Sequence, residues 1–530
     1  MCAACACAAA VGLSSCVTFP PPDRSPADLP LPETYSLYSE AVPDPGPWWL
    51  DFHSDDLSGL IDSAIDGNFT IAQAAARIRQ ADALVQQARS SLLPSVNFGI
   101  DADTTRRQVD TGESYALESS TRRLAALSAL AGGTSIFTGT ASSGLANLRS
   151  GLQVSRTRLN GLQTLLEPEP SSLSITSPES YGLGVSASYE VDLWGRVRAN
   201  AAAAQDTLDA SREDAYAAVH SVAGQVALTW LDALEYAQIL RVTRDQLETN
   251  RTNLELIEVR YRNGLATALD VYQQRQAVAD TEAALPQLEA RYALLLHTLA
   301  VLLGQPPKTD LGLDETAFPQ AGALPETGLP ADLLAMRPDV RAAGLRLKAA
   351  DWQVSAAQAQ RLPALTLSAS MRAGAQNTSL IFDNWIMTLA GSLAGPVFDA
   401  GRRKAEVERA RAVADERLAA YKQVVLNAVA EVEDALVQID RQEAYVAALG
   451  RQIEAARNAY REALGRYRMG LTDYLPVLTA LRNTQSLERA EVEAEHDRMV
   501  YRVQLHLALG GGWMQEQLAT AKDPDVERTE

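Results

Sequence analysis

Arg260-Tyr261-Arg262-Asn263-Gly264-Leu265 returns as Arg466-Tyr467-Arg468-Met469-Gly470-Leu471, 206 residues further along the chain. The same displacement carries Gly195-Arg196 onto Gly401-Arg402 and Leu303-Gly304 onto Leu509-Gly510, so the match runs ungapped for more than a hundred residues. Loops absorb insertions, whereas one extra residue in a packed helix rotates every later side chain by about 100°. A gap-free repeat of this length predicts long helices, present as two copies of one structural unit.

Between the Gly-Arg pair and the turn, apolar residues recur every seven positions. Leu418, Val425, Val432, Ile439, Val446, Ile453 and Tyr460 form the series in the second copy; Val219, Val226, Ala233, Leu240, Leu247, Leu254 and Tyr261 form it in the first. Seven-residue spacing marks a coiled-coil seam. A helix from Gly195 to Arg262 would be roughly 100 Å long at 1.5 Å per residue, a rod rather than a globular helix. Gly264 and Gly470 suit the left-handed position that ends such a helix. Thr267 and Thr472 are then placed to cap the returning helices, which run to about Leu303 and Leu509. Pro286 falls inside the first returning helix and should kink it, whereas Pro476 comes early enough to be tolerated.

Upstream, helical patterning begins near Leu57 and runs to Arg89, stopping at Leu92-Leu93-Pro94. Leu362-Pro363 ends the matching helix of the second copy, now displaced by 269 residues, so the first copy carries 63 extra residues before its Gly-Arg. These fall within 105–180, a Ser/Thr/Gly-rich stretch that reads as a surface loop. Strand patterns flank it. In Val96-Asn97-Phe98-Gly99-Ile100-Asp101 apolar side chains alternate with polar or small ones. Tyr181, Leu183, Val185, Ala187 and Tyr189 likewise point away from Gly182, Gly184, Ser186, Ser188 and Glu190. The second copy sets Leu365, Leu367, Ala369 and Met371 against Thr366, Ser368 and Ser370, and Trp385, Met387, Leu389 and Leu393 against Ile386, Thr388, Ala390 and Ser392. Each copy thus supplies one hairpin of roughly ten-residue strands, long enough to cross a bilayer at a tilt. A half-buried hairpin of a soluble domain gives the same pattern. Four strands cannot close a barrel alone, so spanning requires several chains.

The 530 residues are 47% hydrophobic and 21% charged, the balance of an ordered chain, and a net charge of −19 argues against binding nucleic acid. No segment has 18 consecutive apolar residues, so no transmembrane helix is expected. All four cysteines, Cys2, Cys5, Cys7 and Cys16, lie in the first sixteen residues, which leaves no disulfide framework or thiolate metal site in the body. The five histidines, His53, His220, His297, His496 and His506, show no metal-ligand spacing. Nucleophile elbow, P-loop and dinucleotide fingerprint are all missing, and no carboxylates pair as acid and base. Trp230 and Trp352 read as packing residues. The chain is expected to be no enzyme, with no cofactor and no metal.

Ser188-Tyr189-Glu190-Val191-Asp192-Leu193-Trp194-Gly195-Arg196, the two Arg-Tyr-Arg-x-Gly-Leu turns, Met336-Arg337-Pro338-Asp339-Val340 and Gly395-Pro396-Val397-Phe398-Asp399-Ala400-Gly401-Arg402 together resemble the outer-membrane efflux protein family. These are the TolC-like exit ducts, and the likeness is to the lipoprotein branch serving resistance-nodulation-division pumps. It covers about 48–512 without most of the long loop. The resemblance implies a mainly α fold with a small β part. In it, a homotrimer forms a 12-stranded outer-membrane β-barrel, four strands per chain, that continues into a long α-helical coiled-coil barrel in the periplasm. Leu183, Val185, Leu365 and Leu389 would face lipid, and Ser186, Glu190, Thr366 and Ser368 water.

On this reading residues 1–15 resemble a lipoprotein signal peptide ending Leu13-Ser14-Ser15-Cys16, with Cys16 acylated, and 16–48 form a linker. Repeat 1 spans 49–311, with a β-hairpin at about 94–190 and a helical hairpin at 194–304. Repeat 2 spans 325–512, with a β-hairpin at about 363–398 and a helical hairpin at 400–510, and 513–530 form a tail. The resemblance further implies that Asn263, Gly264, Leu265, Met469, Gly470 and Leu471 are periplasmic tips docking a membrane-fusion adaptor, itself coupled to an inner-membrane pump. Tyr467, Asp270 and Asp473 are candidate gate residues. Seam packing for Tyr467 and a helix N-terminal charge for Asp270 explain those two equally well, and Thr472 and Pro476 stand where relatives carry charged lock residues. The implied function is a passive efflux duct for small molecules such as drugs or toxic compounds. The competing reading is a lipid-anchored periplasmic coiled-coil scaffold without a pore.

Overall fold

The computed structural model describes residues 46–104, 107–110, 173–176 and 179–514 apart from 312, 314–316, 321, 326 and 329, together with 19–22, 32, 34 and 35. Cys16, the signal stretch, most of the linker and most of the 105–180 loop lie outside the described residues. Two compact units are present. Met1–Leu93, Val191–Leu365 and Leu393–Glu530 make a helical unit; Pro94–Glu190 and Thr366–Ser392 make a sheet unit.

In the helical unit, α1 (Asp55–Gly67) and α2 (Phe69–Ser90) replace the single helix expected from Leu57 to Arg89. Asn68 divides them, because its extended backbone ends α1 while its side-chain Oδ1 accepts from the Thr70 N–H to begin α2. Hydrophobic periodicity is blind to a break that keeps the same face inward. The rods are α3 (Arg196–Arg262) and α7 (Arg402–Arg468), 67 residues each, and the returning helices α4 (Ala268–Leu302) and α8 (Leu475–Leu509) have 35 each. Equal lengths in both copies are what an ungapped repeat demands. Short α5 (Leu333–Met336) leads into α6 (Pro338–Ala359), which packs against both rods. The α4 helix continues through Pro286.

Most of the seven-residue series is buried, namely Val219, Val226, Ala233, Leu240 and Leu247 on α3 and Val425, Val432, Ile439 and Ile453 on α7, while Leu254, Leu418, Val446 and Tyr460 are half-buried and Tyr261 is exposed. The largest core gathers Trp48, Trp49 and Phe52, α1, the middle of α3, the ends of α4 and α8, and Trp513, with Trp230 fully enclosed. Leu303-Gly304 has a steric reason: Gly304 has φ +71°, and a Cβ there would lie 2.1 Å from the Gly67 carbonyl oxygen. The Met-Arg-Pro-Asp-Val motif is a staple. Arg337 pairs with Asp339 and Glu431 at 2.7 and 2.5 Å, and donates to the Ala508 carbonyl at 3.1 Å.

The sheet unit has β1 (Ser95–Thr104), β4 (Glu179–Val191), β5 (Ala364–Ala375) and β6 (Trp385–Ala394), in the order β1-β4-β5-β6. Its register pairs Phe98 with Val185 and Ile100 with Leu183, while Asn97 meets Ser186 and Gly99 meets Gly184. Directly opposed residues share a face, so one side is apolar and the other polar or small. Inside the expected loop a second pair, β2 (Arg107–Asp110) and β3 (Leu173–Thr176), continues the strands. Composition masked this, because only four residues on each side pair.

Candidate functional site

The two tips are built alike from backbone up. Asn263 ends α3, Gly264 donates to the Tyr261 carbonyl at 2.9 Å, and Leu265 to the Arg260 carbonyl at 2.8 Å. Met469 ends α7, Gly470 donates to Tyr467 at 3.0 Å, and Leu471 to Arg466 at 2.9 Å. Both are Schellman motifs, which close only if the residue after the cap is left-handed; Gly264 and Gly470 have φ of +72° and +77°. No atom stands within 4 Å of a Cβ at either glycine. Glycine is required here by conformation alone. The turns then thrust Leu265, Met469 and Leu471 outward, 63%, 69% and 69% exposed.

The structure brings the tips together. Arg260 donates to the Arg468 carbonyl at 3.2 Å, and its guanidinium lies 4.6 Å from the Tyr467 ring centroid. Tyr467, Tyr474, Ile257, Val271, Val477 and Leu478 form one cluster beneath both turns. Symmetry stops at the tyrosine: Tyr261 is 49% exposed, whereas its counterpart Tyr467 is 3% exposed. Burial raises the Tyr467 phenol, Arg260 lowers it, and the Asp270 carboxylate adds to the rise. Asp270 closes a capping box, accepting from the Thr267 N–H at 2.8 Å while Thr267 Oγ1 accepts from the Asp270 N–H at 3.2 Å. Asp473 is exposed. Thr472 does not cap α8; Tyr474 takes the N-cap position without a side-chain cap bond. The reason is register, because Thr267 displaced by 206 residues falls on Asp473, not Thr472.

Sequence reasoning missed the polar layer above this cluster. Tyr474 donates to Gln274 Oε1 at 2.6 Å, Gln274 Nε2 to the Asn250 carbonyl at 2.7 Å, and Gln485 Nε2 to Asn250 Oδ1 at 3.1 Å. Gln246 Nε2 then reaches the Gln485 carbonyl at 2.9 Å. All are buried, and they tie α3 and α4 to α8. A signal existed: Ile239, Thr243, Gln246, Asn250, Asn253 and Ile257 follow alternating spacings of four and three residues, a second seam beside the apolar one. A search for apolar residues passes over it.

A sheet with an exposed apolar face, paired rods of equal length and matched glycine tips define an outer-membrane channel of the efflux type. The sequence profile of that class, the outer membrane efflux protein, matches residues 60–305 and 329–511. The chain is 33% identical over 513 residues to the pyoverdine export outer membrane protein OpmQ of Pseudomonas putida, covering 95% of this chain and 96% of the relative. It is 31% identical to the toluene efflux pump outer membrane protein TtgC of Pseudomonas putida, over 67% of this chain and 73% of the relative. The solved outer-membrane channel OprN superposes with a TM-score of 0.75 at 27% identity, covering 94% of this chain and 99% of that one. The chain belongs to the outer membrane efflux protein family. It is an outer-membrane efflux channel, and the fold class read from its sequence stands.

Proposed function

We propose that this chain is the exit duct of a tripartite efflux system, a homotrimer that opens passively and catalyses no reaction. The observation that carries a closed ring of several chains is the sheet: among the described residues β1 and β6 are its two edges, each with one ladder partner. In lipid an unpaired edge costs several kcal/mol per exposed backbone group. Joining β1 of one copy to β6 of the next satisfies every edge once the ring closes. Its apolar side, with Val96, Phe98 and Ile100 exposed, would meet lipid, and its Asn97 and Ser186 side would meet water. Membership of the efflux family favours this over a scaffold without a pore.

The tips at Asn263, Gly264 and Leu265 and at Met469, Gly470 and Leu471 are the docking points for a membrane-fusion adaptor, which a resistance-nodulation-division pump drives. Leu265 and Leu471 supply apolar knobs, and Arg260, Arg262, Arg466 and Arg468 flank them along the chain, Arg466 being paired with Glu462 at 2.8 Å. Tyr467 and Asp270 would narrow the tunnel mouth, with Asp473 beside them. Acylation of Cys16 would hold the trimer to the outer membrane's inner leaflet. The cargo is small molecules. Relatives are named for pyoverdine, toluene and antibiotics, and toxic compounds of similar size are expected here.

Leu265→Asp with Leu471→Asp tests the docking. Both side chains are exposed, so the trimer should assemble and conduct in planar bilayers as before, while efflux in cells is lost. Unimpaired efflux would overturn docking at these tips.

A further inference from the structure

The five histidines show no metal-ligand spacing among themselves, and around His496 the sequence offers only carboxylates of its own helix, Glu493 and Asp497 among them. The fold supplies the missing partners from the other repeat. Asp232 and Glu235 lie one helical turn apart on α3, and a ligand atom from each lies within 4.8 Å of the others and of a His496 nitrogen on α8. His496 Nε2 is 2.8 Å from Asp232 Oδ1, and Nδ1 is 3.2 Å from Asp497 Oδ1. The imidazole is 12% exposed while Asp232 is 42% exposed, so the cluster is held from within and open to solvent on one side. The Phe318 ring, 6.4 Å from the imidazole, lies against His496.

We propose that Asp232, Glu235 and His496 form a binding site for a first-row divalent transition cation of the Zn2+ type, joining the two repeats midway along the rods. Three considerations support it. The donor set of one imidazole and two carboxylates is one that zinc and its neighbours accept, with a coordination position left for water. A metal-binding histidine characteristically gives its second ring nitrogen to a carboxylate, which fixes the ring, and Asp497 occupies that place. Charge is the third. Asp232 and Glu235 each bring a carboxylate oxygen within 4.8 Å of a His496 nitrogen, and Asp497 lies 3.2 Å from the other ring nitrogen. Three carboxylates thus crowd one imidazole, and a divalent cation offsets their mutual repulsion more fully than a single imidazole can. The metal would take the place of the Nε2–Asp232 hydrogen bond, displacing the ring proton to solvent and leaving the contact of Nδ1 with Asp497 intact.

The test uses the full-length detergent-solubilised protein, stripped with chelator and titrated with Zn2+ alone by calorimetry, with bound metal counted by elemental analysis. One Zn2+ per protomer is expected. Binding should be lost in His496→Gln and in Glu235→Gln, and weakened about tenfold or more in Asp497→Asn, which removes only the orienting carboxylate. Glu454→Gln, an exposed carboxylate elsewhere on the rods, should bind like the parent. Glu235→Gln keeps the proposal testable should His496→Gln fail to assemble, because Glu235 makes no part of the 2.8 Å contact. Absence of saturable binding would overturn the site, as would binding that survives both ligand substitutions. So would a result in which His496→Gln alters thermal stability while the parent takes up no Zn2+, since His496 would then be an ion-pair clamp.

Discussion

At the scale of single residues, two buried tyrosines beside each other should behave oppositely. The Tyr474 hydroxyl donates to Gln274 and is raised first by burial, then by the neighbouring Tyr460 and Tyr467. Tyr474→Phe leaves Gln274 Oε1 unpaired in the interior, which costs about 1–3 kcal/mol and should appear as a lower thermal midpoint. Among the described residues the buried Tyr467 hydroxyl meets no partner at hydrogen-bond geometry, its polar neighbour being the Arg260 guanidinium. Tyr467→Phe should therefore leave stability unchanged and, if the ring's hydroxyl closes the tunnel, raise resting conductance in bilayers; unchanged conductance would leave seam packing as its role. His506 makes a separate prediction about pH. Burial, then the charge of Arg502, pushes its imidazole down to about 4, and Asp51 at 3.7 Å does not offset them. An unfolded histidine takes up its proton near pH 6.5. Between these values the unfolded chain binds more protons, so stability is full above about pH 6.5 and declines as pH falls to about 4. His506→Gln should flatten the thermal midpoint across that window relative to the parent, and a constant offset between the two would refute the assignment.

At the scale of elements, the copies share lengths but not caps. Thr267 and Asp270 make a capping box at the start of α4, whereas α8 starts at Tyr474 with Pro476 in its first turn. Thr267→Ala should cost about 1 kcal/mol, measured as a fall in the chemical denaturation midpoint, while Thr472→Ala should cost little because Thr472 caps nothing. This difference also shows where sequence stops being readable. The rods, returning helices, tip glycines and sheet strands were legible because each rests on a periodicity or on a backbone angle that glycine alone adopts easily. The α1–α2 break was not, since Asn68 interrupts hydrogen bonding without disturbing the buried face. Nor was the polar layer of Gln246, Asn250, Gln274 and Gln485, because partners 24 to 239 residues apart give each other no local trace. The same separation hid Asp232 and His496, 264 residues apart. Local pattern fixes the elements, and the meetings between elements create the chemistry.

For the whole molecule, the decisive quantity is the cost of placing the apolar sheet face in water against that of placing charge on it in lipid. Val96, Phe98 and Ile100 on β1 are all exposed, and register sets Phe98 and Ile100 beside Val185 and Leu183. Such a patch is a liability on a soluble protein and a requirement in a bilayer. A substitution that adds the same charge to each face of one strand separates the cases. Phe98→Arg places a guanidinium on the apolar face, where charge near the bilayer midplane costs about 2–4 kcal/mol per copy. Its neighbour Asn97 pairs with Ser186 on the polar face, so Asn97→Arg adds equal charge and bulk towards water. Heat-modifiable gel mobility of outer-membrane fractions reads the assembled trimer directly. Phe98→Arg should sharply reduce the assembled band, the penalty being repeated in each of the three copies, while Asn97→Arg should leave it near the parental level and change conductance instead. Equal tolerance of both changes would mean that neither face meets lipid, and a sheet so disposed could not form the wall of a pore.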